Sequence, residues 1–241
     1  MTKQETETTL KQAESQGFLL IDKPAGITSH DVVDRVRRAT GIRRVGHAGT
    51  LDPFATGLLI IGVGRPATRE MQKLVGLDKK YEAVFVLGAK SDTDDREGVI
   101  VKSPIEKGSD AVNALKQFEG KIEQIPPTYS AIKIDGKKMY ESARAGRPLI
   151  ASARQITIYS ITGKMIDEQR LSVSIHSSTG TYIRAIARDL GESLGGGGYA
   201  DKLRRTTIGP FNIKDAIPAK GLTLELVQTH LIPVEGFLAK L

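Results

Sequence analysis

VGHAGTLDPFATG (45–57) runs directly into LLIIGVG (58–64), so a loop rich in glycine and threonine, carrying one carboxylate, leads into a buried strand. The carboxylate is Asp52. Pro53 excludes Asp52 from the right-handed helical region and holds it extended, which fixes the direction its side chain leaves the chain. Three glycines let the backbone pass close to a ligand. A single Asp-Pro in a glycine-rich loop is by default only a turn, so this segment has to be read with its neighbours.

Upstream, GFLLID (17–22) is a short apolar strand and KPAG (23–26) a turn. Thr28 and Asp31 have capping-box spacing ahead of a helix, HDVVDRVRRAT (30–40), which Gly41 closes. Residues 1–16 form a polar tail without the apolar stretch of a signal peptide. Downstream, a helix is expected through 66–76, then a strand rich in aromatic and branched residues, YEAVFVLG (81–88). SDTDDREG (91–98) has a superficial likeness to a calcium loop. Its glycine falls at the seventh position rather than the sixth and no glutamate stands at the twelfth, so it reads as a polar turn.

DAVNALKQFEG (110–120) predicts an amphipathic helix with a glycine stop. Residues 126–152 are basic and irregular, as expected of an insertion over a ligand site. ITIYSITG (156–163) and LSVSIHSS (171–178) alternate as a hairpin pair. TYIRAIARDLGESL (181–194) has its apolar residues at helical spacing, with Arg184 and Arg188 on another face. The glycine run at 195–198 reads as a linker-like turn, and YADKLRRTTIGPF (199–211) as a basic patch ending in a turn. Together these elements predict an α+β fold, mostly strands with helices packed against them.

The 241 residues include no cysteine, which excludes disulfides, thiolate nucleophiles and every cysteine-based metal site. The histidines at 30, 47, 176 and 230 are scattered, without metal-ligand spacing. No apolar run approaches the ~20 residues of a membrane span, and a cytoplasmic protein is expected. Lys and Arg number 35 against 28 Asp and Glu, a formal +7 that is compatible with a polyanionic partner. Six Tyr, six Phe and no Trp leave little for a broad stacking platform, so single tyrosines gain weight. Two stand out: Tyr81 at a strand start after two lysines, and Tyr182, which with Arg184 occupies the first turn of a helix following a glycine.

In order and spacing, these segments resemble the TruB-type tRNA pseudouridine synthases. KPAGITSHDVV is similar to the opening KPxGxTS motif, and GHAGTLDPFATG to the catalytic GHxGxLDPxATG loop. DKKYEAVFVLG with SDTDDREG resembles the strand that brings in the active-site tyrosine. QIPPTYSAIKIDGKKMYESARAG, STGTYIRAIARDLGE and KLRRTTIGPF are similar to the remaining motifs, so the likeness covers about residues 17–215.

The resemblance implies a pseudouridine-synthase core, a central and mainly antiparallel sheet flanked by helices, over residues 17–241. The RNA-binding insertion falls near 126–152. It implies Asp52 as the catalytic aspartate, Tyr81 stacked on the target base, Tyr182 and Leu203 lining the pocket, Arg184 paired with Asp52, and His47 inserted among the bases. It implies isomerisation of uridine 55 in the T-arm stem-loop of tRNA by a monomer, with no cofactor, no metal, no membrane and no obligate protein partner. Two departures are visible. Ser177, Ser178 and Thr179 replace the family's Cys-Ser-Lys, removing one cationic RNA contact, and no C-terminal PUA domain is expected after GPFNIKDAIP.

Asp52 would act either as nucleophile or as base at the ribose. Both roles need an ionised carboxylate in a pocket, which burial opposes and a guanidinium favours. Flipping the base costs a few kcal/mol, and stacking on one aromatic returns about 1–3 kcal/mol. Tyr81 alone does not suffice, and His47 is expected to fill the vacated space.

Overall fold

A computed structural model describes residues 16–106, 109–130, 133–134, 137–139, 142, 149 and 151–241. Positions 1–15 of the expected tail, and much of the expected insertion, lie outside the described residues. The described residues up to Lys79, with Arg204–Leu241, form one compact unit, and Lys80–Leu203 form a second.

The first unit opens with β1 (Gly17–Lys23), α1 (Ser29–Thr40), β2 (Val45–Ala48), β3 (Thr56–Val63) and α2 (Gly64–Val75). Helix α1 starts where the sequence places it. The Thr28 side chain accepts from the Asp31 backbone, the Asp31 carboxylate accepts from the Thr28 amide, and Gly41 ends the helix in the left-handed region at φ 71°. β3 is the centre of this unit. β1 lies antiparallel along it, from Gly17 opposite Val63 to Lys23 opposite Gly57. Its other edge takes β2 antiparallel, His47 opposite Ile61.

Alternation along β3 explains its uninterrupted apolar sequence. Leu59, Ile61 and Val63 pack with Leu19, Ile21 and the α1 residues Val32, Val33 and Val36. Leu58 and Ile60 point the other way, into a cluster with Phe18, Leu20, the α2 residues Ala67 and Leu74, and Phe237. A strand covered on both faces needs no polar face. Phe237 stacks on Phe18 and on Phe211, with centroids 4.0 Å apart in each pair.

β4 (Lys79–Leu87) leads into the second unit, followed by β5 (Ala89–Ser91), β6 (Ile100–Lys102), the single turn α3 (Ala111–Ala114) and β7 (Gly120–Gln124). A short ribbon, β8 (Lys133–Ile134) with β9 (Lys137–Lys138), precedes β10 (Arg154–Met165) and β11 (Arg170–Ser177). Strand order here is β4-β11-β10-β7. β10 and β11 form the expected hairpin, Ile161 opposite Ile175, with an irregularity between Ile158 and Ser160. Then come α4 (Ile183–Ser193) and β12 (Gly198–Ile208), whose last residues re-enter the first unit and run parallel to β3, Arg205 opposite Gly57. There β13 (Phe211–Asn212) turns back on β12, β14 (Ile217–Pro218) lies parallel to β1, and α5 (Leu224–His230) and α6 (Val234–Leu238) follow. The fold is α+β, with mostly antiparallel strands flanked by helices, as the sequence predicts.

Three expectations are corrected. Residues 110–120 are not one amphipathic helix: Asp110 caps a single α turn that tightens into a 3₁₀ turn over Leu115–Phe118. So short a segment barely repays helix nucleation, and three-residue spacing puts Leu115 and Phe118, both buried, on one side. The glycines at 195–198 are no linker. A Cβ on Gly198 would lie 2.2 Å from the Ala187 carbonyl oxygen, and one on Gly196 2.4 Å from that of Pro104, so backbones meet where side chains cannot fit. The 199–211 stretch, expected as a basic patch ending in a turn, is mostly β12 with a turn at 209–210, and its Arg205 is only 1% exposed.

Candidate active site

The Asp52 loop joins β2 to β3 and is clamped by its backbone on both sides of the aspartate. Before it, the buried hydroxyl of Ser29, 2% exposed, accepts from the Leu51 amide at 2.9 Å and donates to the Leu51 carbonyl at 3.0 Å. After it, the Pro53 carbonyl accepts from the Gly26 amide at 2.9 Å and from Lys23 Nζ at 3.3 Å. The same ammonium donates to the carbonyls of Pro24 (2.9 Å) and Ile27 (2.7 Å). Lys23 is fully buried, and such a charge is tolerable only when carbonyl oxygens replace its water. The KPAGITS segment therefore braces the loop that follows it in space.

Arg205 braces the loop from β12. Its guanidinium donates to the carbonyls of Gly49 (2.9 Å), Thr50 (3.4 Å) and Leu58 (2.8 Å). Gly57 has φ 107°, and a Cβ there would sit 2.2 Å from the Arg205 carbonyl oxygen. Leu51 and Phe54 are buried while Asp52 between them is half-buried, so apolar anchors hold the loop and leave the carboxylate at its surface.

His47, half-buried on β2, has its pKa pushed down, first by burial and then by the Arg205 charge, which keeps the imidazole neutral at pH 7. Its Nδ1 is buried without a hydrogen-bond partner among the described residues. Lys79, which opens β4, donates to the carbonyls of Val75 and Leu77. Its pKa is pushed down to about 8 by burial and then by Arg205.

In the second unit, Tyr81 is buried on the inner face of β4, where buried and exposed positions alternate. Tyr182 stands at the N-cap of α4. Its amide donates to Gln124 Oε1 at 2.8 Å and its carbonyl accepts from Gln124 Nε2 at 3.0 Å. Gln124 is 1% exposed. Arg154 lies 4.7 Å over the Tyr182 ring and donates to the Gly180 carbonyl. Leu203 is buried in β12.

Arg184 is buried, 3% exposed. It pairs with the Asp95 carboxylate at 3.3 Å and donates to the carbonyls of Thr93 (2.6 Å) and Tyr129 (3.0 Å). One turn on, Arg188 pairs with Asp94 at 2.9 Å and with Asp189 at 2.8 Å. Asp94 sits at φ 60°, and burial raises its pKa to about 6 against the attraction of Arg188.

His47 and Asp52 thus belong to the first unit, and Tyr81, Tyr182, Arg184 and Leu203 to the second. Sequence reasoning missed Lys23, Ser29 and Arg205, and with them Asp94, Asp95 and Gln124. A usable signal existed for the aspartates: two adjacent acids, and two arginines four residues apart on one helix face. Among the described residues no group of three or more His, Asp or Glu is arranged to hold a metal, and no helix is long and apolar enough to cross a membrane.

The sequence model for TruB family pseudouridylate synthase (N terminal domain) matches residues 37–183. The chain is 46% identical over 218 residues to tRNA pseudouridine synthase B of Corynebacterium efficiens, covering 87% of this chain and 72% of that protein. It is 43% identical over 230 residues to tRNA pseudouridine synthase B of Aromatoleum aromaticum, covering 93% and 74%. Among solved structures, a Cbf5–Nop10–Gar1 complex superposes with TM-score 0.72 at 27% identity, over 96% of this chain and 64% of that one. An H/ACA ribonucleoprotein bound to a substrate RNA containing 2'-deoxyuridine shares the fold, with TM-score 0.71 at 24% identity over 96% and 63%. The chain therefore spans a little under two thirds of those two solved chains. With its motifs held in this arrangement, the chain belongs to the TruB family of pseudouridylate synthases.

Proposed function

We propose that this protein isomerises uridine to pseudouridine at position 55 in the T-arm of tRNA. The N1–C1' glycosidic bond breaks, the base turns, C5 bonds to C1', the C5 proton leaves and N1 gains a proton. Atoms and electrons balance, so the reaction needs no redox partner. Asp52 supplies the carboxylate that acts on the nucleoside. Tyr81 stacks on the flipped base, Tyr182 and Leu203 line its surroundings, and neutral His47 occupies the space it leaves. Arg184, which pairs with Asp95, is the further substrate-binding residue of this reading.

The observation that carries this reading is the paired backbone clamp around Asp52, since a carboxylate reacting at one bond must be held to within a fraction of an ångström. The relatives' activity on tRNA supplies the substrate. The protein works as a monomer in the cytoplasm, without an obligate protein partner.

The test is incubation of the chain alone with unmodified tRNA transcript, following tritium release from C5 and mapping the product to its nucleotide. Pseudouridine at position 55, and its loss below a tenth of the parental rate in Asp52→Asn with tRNA affinity within a few fold, is the expected result. Turnover only with a guide RNA and added proteins would instead favour the arrangement of the ribonucleoprotein neighbours.

A further inference from the structure

An open groove of about 630 Å³ lies on the first unit, lined in part by the turn whose Pro24 and Ile27 carbonyls hold Lys23. Its lining includes the half-buried apolar residues Ile27, Ala39 and Leu222 together with Arg35, Arg38 and Lys220. Arg35 is fixed from below, its Nη1 donating to the Ala219 carbonyl at 3.2 Å. Arg38 and Lys220 are exposed. Among the described residues the lining includes no Asp or Glu. Of the acids of α1, Asp31 caps the helix and also acts on Arg35, and Asp34 pairs with Arg37 at 2.9 Å.

We propose that this groove seats a stretch of the sugar–phosphate backbone of the substrate RNA. Three cations with no acid in the lining make a site for a polyanion, Arg38 and Lys220 foremost because Asp31 partly offsets Arg35, and the apolar part of the lining suits a ribose or a base face. The groove is also mechanically continuous with the reacting loop. One of its walls is the turn at 24–27, and that turn holds the Pro53 carbonyl, one residue from Asp52, through Gly26 and Lys23. A nucleotide seated there bears on the segment that sets the aspartate. The assignment rests on RNA being the substrate, and it adds a contact outside the residues already given to the flipped base.

The test compares the full chain with the double variant Arg38→Glu, Lys220→Glu, and with a control of equal charge change on exposed lysines of the second unit, Lys102→Glu, Lys164→Glu. The tRNA Kd is measured by filter binding from low to moderate salt. The groove variant is expected to weaken binding about 10-fold and to reduce the slope of log K against log salt by about 1.5, close to 0.7–0.9 per lost phosphate contact. The control should stay within about two-fold, and both should melt as the parent does. An unchanged Kd and slope, or an equal loss in the control, overturns the proposal and leaves the groove to a protein partner. Product formation by the parent is scored separately. If the parent binds tRNA through the groove but forms no pseudouridine, the activity assigned above fails while the docking site stands.

Discussion

Replacing Ser29 by alanine removes one oxygen that serves two backbone groups of Leu51, the residue before Asp52. The site is buried, so water does not readily take the hydroxyl's place. Leaving a buried donor or acceptor unmade costs about 1–3 kcal/mol, and the two together roughly 2–4 kcal/mol. That is a large part of the 5–15 kcal/mol typical of a folded protein but not all of it, so the variant folds. At about 2–4 °C per kcal/mol for a chain of this size, melting should fall by roughly 5–15 °C.

The remaining clamps hold Gly49, Thr50 and Pro53 in place, so the disturbance concentrates at residues 51 and 52. A displacement near 1 Å at a reacting group costs on the order of 100-fold. The single-turnover rate of pseudouridine formation should therefore fall by about 10–100-fold, with the tRNA Kd within about three-fold. Ser29→Thr keeps the oxygen and should recover most of the rate. Melting lowered with an intact rate would show that the hydroxyl supports the fold without aiming Asp52. If neither quantity moves, the reasoning about buried backbone groups is wrong.

Tyr81→Leu keeps an apolar side chain but loses the ring, and should lower the single-turnover rate by about 10-fold or more. Unchanged kinetics would remove its stacking role. Gly57→Ala should destabilise by about 3 kcal/mol or more or abolish soluble expression, because its φ is positive and its Cβ would collide with backbone. Parental melting would contradict that geometry. Asp94 has a folded pKa raised to about 6 from 3.8, so its contribution to stability is complete below pH 4 and is lost as pH rises through 6. Each pKa unit is worth about 1.4 kcal/mol, making up to roughly 3 kcal/mol. Asp94→Asn, which tolerates the left-handed backbone, should flatten urea-derived stability between pH 4 and 6, and superposable profiles would refute the shift.

What was legible in the sequence was local. The Thr28–Asp31 cap, the stop at Gly41, the 156–163 and 171–178 hairpin and the apolar run at 58–63 all follow from residues within a turn or a strand of one another. The motif around Asp52 was legible for the same reason: its glycines and its proline constrain their own backbone. Spacing also marked Tyr81 and Tyr182 as tyrosines to watch.

Tertiary structure decided the rest, because the deciding partner lies far along the chain. Arg205 reads as one charge in a basic run until the Gly49 and Leu58 carbonyls, about 150 residues earlier, draw it inside. Arg184 reads as one of two arginines on a helix face until Asp95 and the Thr93 carbonyl reach it. Glycines at 195–198 read as a linker-like turn until backbones close on them. Ser29 is an unremarked first residue of a helix until Leu51 meets it. Backbone preference acts between neighbours, whereas the burial of a charge or a hydroxyl depends on what folding brings to it.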